Sequence, residues 1–251
     1  MKRFCWFGTC AIALLLLQTA CATYFQHQRQ NVLRPQNEPQ FTLMDFSRPI
    51  RMNPMEAGWY QYKFNREQRL QQEITFIQQD GRAMAQIESE ASIARLFREV
   101  DIDIGKYPLI AWSWKIQTTF DGNQQPETTQ GGDDHPARII LIMESATGDQ
   151  RELELVWGNR LPIAELFMID TAAHYVVRSG VQVGQWFDEQ IDIWQIYQRV
   201  WPDDGLARIT DIGIAGDSDQ SQQKTLAFIA NLRMIRQPIR SNRSISRYRS
   251  P

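Results

Sequence analysis

Two acidic pairs carry the most evident chemistry in this sequence: Asp133 and Asp134 at the end of a polar stretch, and Asp217 and Asp219 just after an apolar one. Carboxylates converging from two loops could hold Ca²⁺, which takes roughly six to eight oxygen ligands; Asp217 and Asp219 are the expected pair. The same acids could serve a glycosidase as proton donor and as nucleophile or base, if set at the right separation. The structural alternative is that they form turns and caps, a common use of Asp. Arg138 follows closely and enters an apolar run. Its planar fork suits a carboxylate, so an ion pair with Asp133 or Asp134 that fixes the loop is its expected role.

The remaining polar residues match no nucleophile or zinc pattern. His135 and His174 lack an H-x-x-x-H spacing and a Cys/His cluster, so no zinc site is expected. Ser179 lacks the G-x-S-x-G setting of a nucleophile elbow and reads as a turn serine. Tryptophans make sugar platforms as well as cores. Trp112 and Trp114 share a strand face with Ile110 and Ile116 and read as core, whereas Trp186, Trp194 and Trp201 lie around a helical segment and are the candidates for an exposed binding surface.

The elements that must position these residues are mostly strands. Ile110, Trp112, Trp114 and Ile116 alternate with Ala111, Ser113 and Lys115, as a period of two requires. Leu153, Leu155 and Trp157 alternate with Glu152 and Glu154, and Phe228, Ala230, Leu232 and Met234 with Asn231 and Arg233. Ala137 to Met143 is almost continuously apolar, as in a strand covered on both faces. Further strands are expected at 41–46, 59–64, 73–79, 82–88, 174–178 and 209–215. Two short helices are expected where Ile93, Leu96, Phe97 and Val100, and again Ile193, Ile196, Tyr197 and Val200, follow helical spacing. The expected fold is all-β, a jelly-roll-like β-sandwich with one or two short helices. Residues 117–135 form a long polar loop, a length usually reserved for function or mobility.

The ends of the chain read differently. Lys2 and Arg3 precede fourteen uncharged residues, Phe4 to Leu17, and then Gln-Thr-Ala-Cys. A helix of that length rises roughly 21 Å, short of the roughly 30 Å hydrocarbon core, so residues 1–20 read as a signal peptide of lipoprotein type. Cys5 and Cys10 fall within it, leaving Cys21 as the lipidation candidate; cleavage after Ala22, giving a soluble periplasmic protein, is the rival. Residues 21–40 are expected as a flexible tether, 41–236 as a single sandwich domain and 237–251 as a disordered basic tail. The formal charge is −2, but Arg236 to Pro251 contributes +5 and residues 41–235 carry −10. An acidic body of that sign repels phosphate backbones, which counts against nucleic-acid binding by the domain, so no nucleic-acid partner is expected.

The run Asp101 to Lys115 with its W-x-W-K ending, then Gly132-Asp-Asp-His-Pro-Ala-Arg138, Tyr175-Val-Val-Arg-Ser-Gly180 and Asp211 to Asp219, resembles the bacterial exported family known as domain of unknown function 3047. The resemblance covers roughly residues 43–236; Ser113 and Gln220 depart from the family pattern. It implies a β-sandwich in the cell envelope and no established activity. The expected function is therefore an envelope lipoprotein, facing the periplasm through an N-terminal lipid, whose non-catalytic sandwich binds a glycan or an envelope protein. A hydrolase or lyase acting on an envelope polysaccharide through the loop carboxylates, and a purely structural protein, are the alternatives.

Overall fold

In the computed structural model, which describes residues 32–44, 58–61, 73–121 and 125–237, the chain folds into two facing sheets. In chain order the strands are β1 (Gln40–Thr42), β2 (Tyr60–Gln61), β3 (Glu73–Gln79), β4 (Arg82–Glu90), β5 (Ile93–Asp103), β6 (Leu109–Thr118), β7 (Arg138–Ser145) and β8 (Gln150–Gly158). They continue with β9 (Leu166–Ile169), β10 (Ala172–Ser179), β11 (Phe187–Asp192), β12 (Ala207–Asp217) and β13 (Lys224–Ile235). One sheet has the order β11-β6-β13-β4-β3, with β1 also on β13; the other has the order β2-β5-β12-β7-β8-β10-β9. Pairing is antiparallel except between β8 and β10, whose connection is made through β9. The fold is an all-β sandwich, as the alternation predicts. The described α-helix is α1 (Ile193–Val200), capped by Asp192, whose carboxylate accepts from the Gln195 N–H at 3.1 Å.

The core lies between the sheets. Ile110, Trp112, Trp114 and Ile116 of β6 face Leu153, Leu155 and Trp157 of β8 and Ile139, Leu141 and Met143 of β7, all buried. The tryptophans form a chain of edge contacts, Trp112 to Trp114 at 5.2 Å and Trp114 to Trp157 at 5.4 Å, which ties one sheet to the other.

Three expectations need correction. The helix expected at 93–100 is part of β5, hydrogen-bonded to β12 from Ile93 to Asp103. Its helical spacing is a coincidence of two strand faces: Leu96 and Val100 point into the central core, whereas Phe97 packs outside it with Ile140 and Ala215. The alternation along β13 breaks at Asn231, whose φ is +57° beside a register shift. Ala227 and Ile229 therefore share the core with Leu232 and Met234, while Phe228 and Ala230 face outward beneath Trp186. The tether expected over 21–40 is docked in its last part. Leu33 bridges Val100, Arg34 pairs with Asp101 at 3.1 Å and β1 begins at Gln40. The strands expected at 41–46 and 59–64 are described only as β1 and β2, and their remaining residues are partly outside the described range. The signal peptide, Cys21 and the basic tail beyond Gln237 also lie outside the described residues.

Candidate functional site

The outer face of the seven-stranded sheet is where the charged residues gather. Strand alternation sends Arg138, Ile140 and Ile142 of β7 and Glu152 and Glu154 of β8 away from the core. Register then sets Ile140 opposite Glu154, and Glu154 opposite His174 on β10. Phe167 of β9 lies opposite His174 and stacks on its ring, 5.0 Å between centroids and 15° between planes. Arg138 is fully buried. It donates through Nη1 to Glu154 and through Nη2 to both oxygens of Asp217, at 2.8 and 2.7 Å, and to the Asp133 carbonyl at 2.8 Å.

Sequence reasoning named Asp133 or Asp134 as the partner of Arg138. The structure brings Asp133 to it, with Oδ1 3.5 Å from Nη2, and sends Asp134 elsewhere. The Asp134 carboxylate accepts from the backbone N–H groups of Gln220 and Ser221, capping the turn after β12. The stronger partners of Arg138, Glu154 and Asp217, come from strands distant in sequence.

His135 and His174 complete the cluster. His135 Nε2 lies 3.3 Å from Asp133 Oδ1; His174 Nε2 lies 3.4 Å from the same oxygen and 3.4 Å from Glu154 Oε2. The His135 N–H donates to Asp217 at 2.7 Å. Burial raises the Asp133 carboxyl, but Arg138 and then the two histidines outweigh it and hold the group well below the usual carboxylate range. Glu154 is likewise held down by Arg138 and His174 against its burial. Burial lowers His174, yet Asp133 and Glu154 bring it up to about 9. Asp217 is raised by burial, with the Arg138 fork opposing.

The expected calcium pair does meet: oxygens of Asp217, Asp219 and Asp134 lie within 4.8 Å of one another. Both Asp217 oxygens already face the Arg138 guanidinium, and Asp134 is held by backbone N–H groups, so this corner is knit by protein donors.

The polar loop ahead of β7 is anchored by more than Arg138. Glu127, which sequence reasoning missed, is buried and accepts from the backbone N–H groups of Asn159 and Arg160 at 2.7 and 2.8 Å. Gly132 sits so close to the Pro126 carbonyl that a Cβ would lie 2.4 Å from its oxygen, so the loop needs glycine there.

The candidate tryptophans do not converge. Trp186 lies outside the six-stranded sheet with Arg82 4.3 Å from its ring centroid, while Trp194 and Trp201 flank Tyr197 of α1 against the core. All three are half-buried, and none lines the cavity on the outer face of the other sheet. That cavity, about 290 Å³, sits one row from His174 and is lined by Tyr60, Phe97, Gln150, Arg151, Glu152 and Asp211, among others. Tyr60 and Phe97 stack at 6.1 Å, and the Tyr60 hydroxyl donates to Asp211 at 2.7 Å. Burial, then the neighbouring Glu154, pushes Glu152 up to about 7.

A family model described as protein of unknown function (DUF3047) matches residues 57–233, which include the cluster, the cavity and every described strand except β1 and the last two residues of β13. The chain belongs to the DUF3047 family. No curated protein matches it. Among solved structures, this DUF3047 chain is similar to the agarase AgWH50C at 11% identity and a TM-score of 0.35, over 80% of this chain and 25% of that one. An exo-beta-agarase matches at 10% identity and a TM-score of 0.34, over 80% and 26% of the two chains. The xyloglucanase domain of NopAA, a type three effector from Sinorhizobium fredii, matches at 9% identity and a TM-score of 0.36, over 80% of this chain and 100% of that one. The DUF3047 chain thus spans about a quarter of each agarase chain.

Proposed function

We propose that this DUF3047 protein is a cell-envelope lipoprotein, anchored through Cys21, whose sandwich binds an envelope glycan in the cavity on the outer face of the seven-stranded sheet. The observation that carries this reading is the cavity lining: stacked aromatic rings of Tyr60 and Phe97 beside Gln150, Arg151, Glu152 and Asp211. An apolar wall for a sugar face with convergent hydrogen-bonding groups for its hydroxyls suits a carbohydrate, and about 290 Å³ lies at the small end of ligand pockets. The loop carboxylates support binding rather than hydrolysis, because Asp133, Asp134 and Asp217 are already engaged by Arg138, histidines or backbone N–H groups. Calorimetric titration with fragments of envelope polysaccharide should give heat with the wild type and at least tenfold weaker binding with Tyr60→Ala. Equal affinity in both would overturn the cavity as the site. For the anchor, Cys21→Ser should abolish palmitate labelling and release the protein from the membrane fraction; an unlabelled wild type refutes lipidation.

One observation favours hydrolysis as the second reading. Glu152, pushed up to about 7, and Glu154, held low, are two carboxyls whose proton affinities are driven apart, as an acid and its partner require. New reducing ends from a polysaccharide, lost in Glu152→Gln, would establish it.

A further inference from the structure

The cavity on the outer face of the seven-stranded sheet is lined by two acids that lack a matching cation among the described residues. Glu152 of β8 and Asp211 of β12 are both half-buried, and neither forms an ion pair among the described residues. Asp211 Oδ1 accepts from the Tyr60 hydroxyl at 2.7 Å, a neutral donor. Arg151 also lines the cavity, but its charge is taken. Its Nε and Nη2 lie 2.6 and 3.1 Å from the oxygens of Asp204, and Asp149 approaches Nη2 at 3.6 Å. The cations of the neighbouring cluster are matched as well. Arg138 is held by Glu154 and Asp217, and His174, brought up to about 9, lies between Asp133 and Glu154. Burial, then the negative Glu154, pushes the Glu152 carboxyl up to about 7, and Arg95 and His174 oppose this without pairing with it. Carboxylates drawn out of water without a counter-ion are costly, and the hydroxyls of a neutral ligand bring no charge to offset them.

We propose that the ligand of this cavity is an amino sugar with a free, positively charged amine, whose ammonium group sits between Glu152 and Asp211. This rests on the reading of the cavity as a glycan site and names the class of glycan. Register supports the placement. Asp211 and Glu152 both stand opposite Ile142 of β7, one on each side, so Ile142 is the apolar floor between them. With strands about 4.8 Å apart, the two Cα atoms are about 10 Å apart, and the side chains share one face of the sheet. An ammonium has three N–H donors, enough to reach Glu152 and the Asp211 oxygen that Tyr60 leaves open. Such charge-assisted bonds are about twice as strong as neutral ones. The rings of Tyr60 and Phe97 complete the wall, and aromatic faces attract cations. The −10 formal charge of residues 41–235 draws a cationic ligand in and repels an acidic one.

Calorimetric titration of the full-length protein at pH 7 compares three tetramers: β-1,4-linked glucosamine, its N-acetylated form, and galacturonic acid. The amine form should bind at least tenfold more tightly than the acetylated form, and the acidic one should give no heat. Added NaCl should weaken the amine form and leave the acetylated form unchanged. Glu152→Gln and Asp211→Asn should each narrow the preference, and the double variant should abolish it; Gln keeps the shape of Glu, and Asn still accepts from Tyr60. Equal affinity for the amine and acetylated forms, lost in Tyr60→Ala, overturns the amine and keeps the cavity as a glycan site. A preference that survives in the double variant overturns the placement between the two acids. Heat from none of the three tetramers overturns the amino sugar, and the titration with envelope polysaccharide fragments then decides on the cavity separately.

Discussion

Replacing Arg138 with Met isolates the electrostatics of the cluster, because the apolar side chain keeps most of the volume while removing the charge. Arg138 is fully buried, and its partners Glu154 and Asp217 have side chains only 3% exposed. Losing it strands two carboxylates out of water, with Asp133 beside them at 17% exposure. Breaking a buried ion pair by removing one partner costs about 3–5 kcal/mol. At roughly 2–4 °C per kcal/mol for a domain of this size, Arg138→Met should lower the melting temperature by about 6–20 °C. Urea unfolding, checked for a single transition, measures the free energy. Neutralising the stranded acids should restore much of the loss, so Arg138→Met/Glu154→Gln/Asp217→Asn should be more stable than Arg138→Met alone. The Asp133 carbonyl also loses its donor, so protease cutting between 125 and 135 should rise, whereas Arg243→Ala in the basic tail should leave both readouts unchanged. A loss below about 1 kcal/mol, or a triple variant weaker than the single one, would refute the account, since stranded charge is the only term that reverses on neutralisation.

Gly213→Ala should cost about 1–3 kcal/mol in urea unfolding, because the new Cβ would lie 2.7 Å from the Phe97 ring and 3.2 Å from Ile140 Cβ. A stability within experimental error of wild type would show that the ring yields freely. Glu152→Gln should be as stable as wild type below about pH 4.5 and more stable above about pH 7. The folded-state pKa of Glu152 is raised from 4.5 to about 7, so ionising it weakens the fold as pH rises through that window. Melting curves of the two proteins that stay parallel from pH 4 to 8 would rule this out.

The elements were more legible than the cluster they build. Alternation alone placed Trp112, Trp114 and Trp157 in the core, because each strand has one face against the opposing sheet. It failed at Asn231, where a positive φ and a bulge invert the faces of β13, and at β5, where Phe97 is buried on the outer face and completes a false helical period. Both failures have one origin: the seven-stranded sheet and its neighbour bury residues on both faces in places, so hydrophobicity stops reporting which side is the core.

The cluster was half legible for a related reason. A charged residue opening an apolar run, as Arg138 does, signals a buried ion pair, and Asp133 was near enough in sequence to be named as its partner. Glu154 and Asp217 were not, because their contacts depend on register: Glu154 stands opposite Ile140, and Arg138 stands opposite Val156 on one side and Ala215 on the other. Only pairing β7 with both β8 and β12 puts those acids on the two diagonals around the guanidinium. His135 and His174 carry no signal in sequence order, because in a sheet the spacing that matters runs across strands. A loop residue and a β10 residue reach one carboxylate oxygen with no sequence period between them. The signal that could have found them is the alternation itself: extended from β8 to β10, it sends Glu154 and His174 to the same face, and the parallel register makes them neighbours.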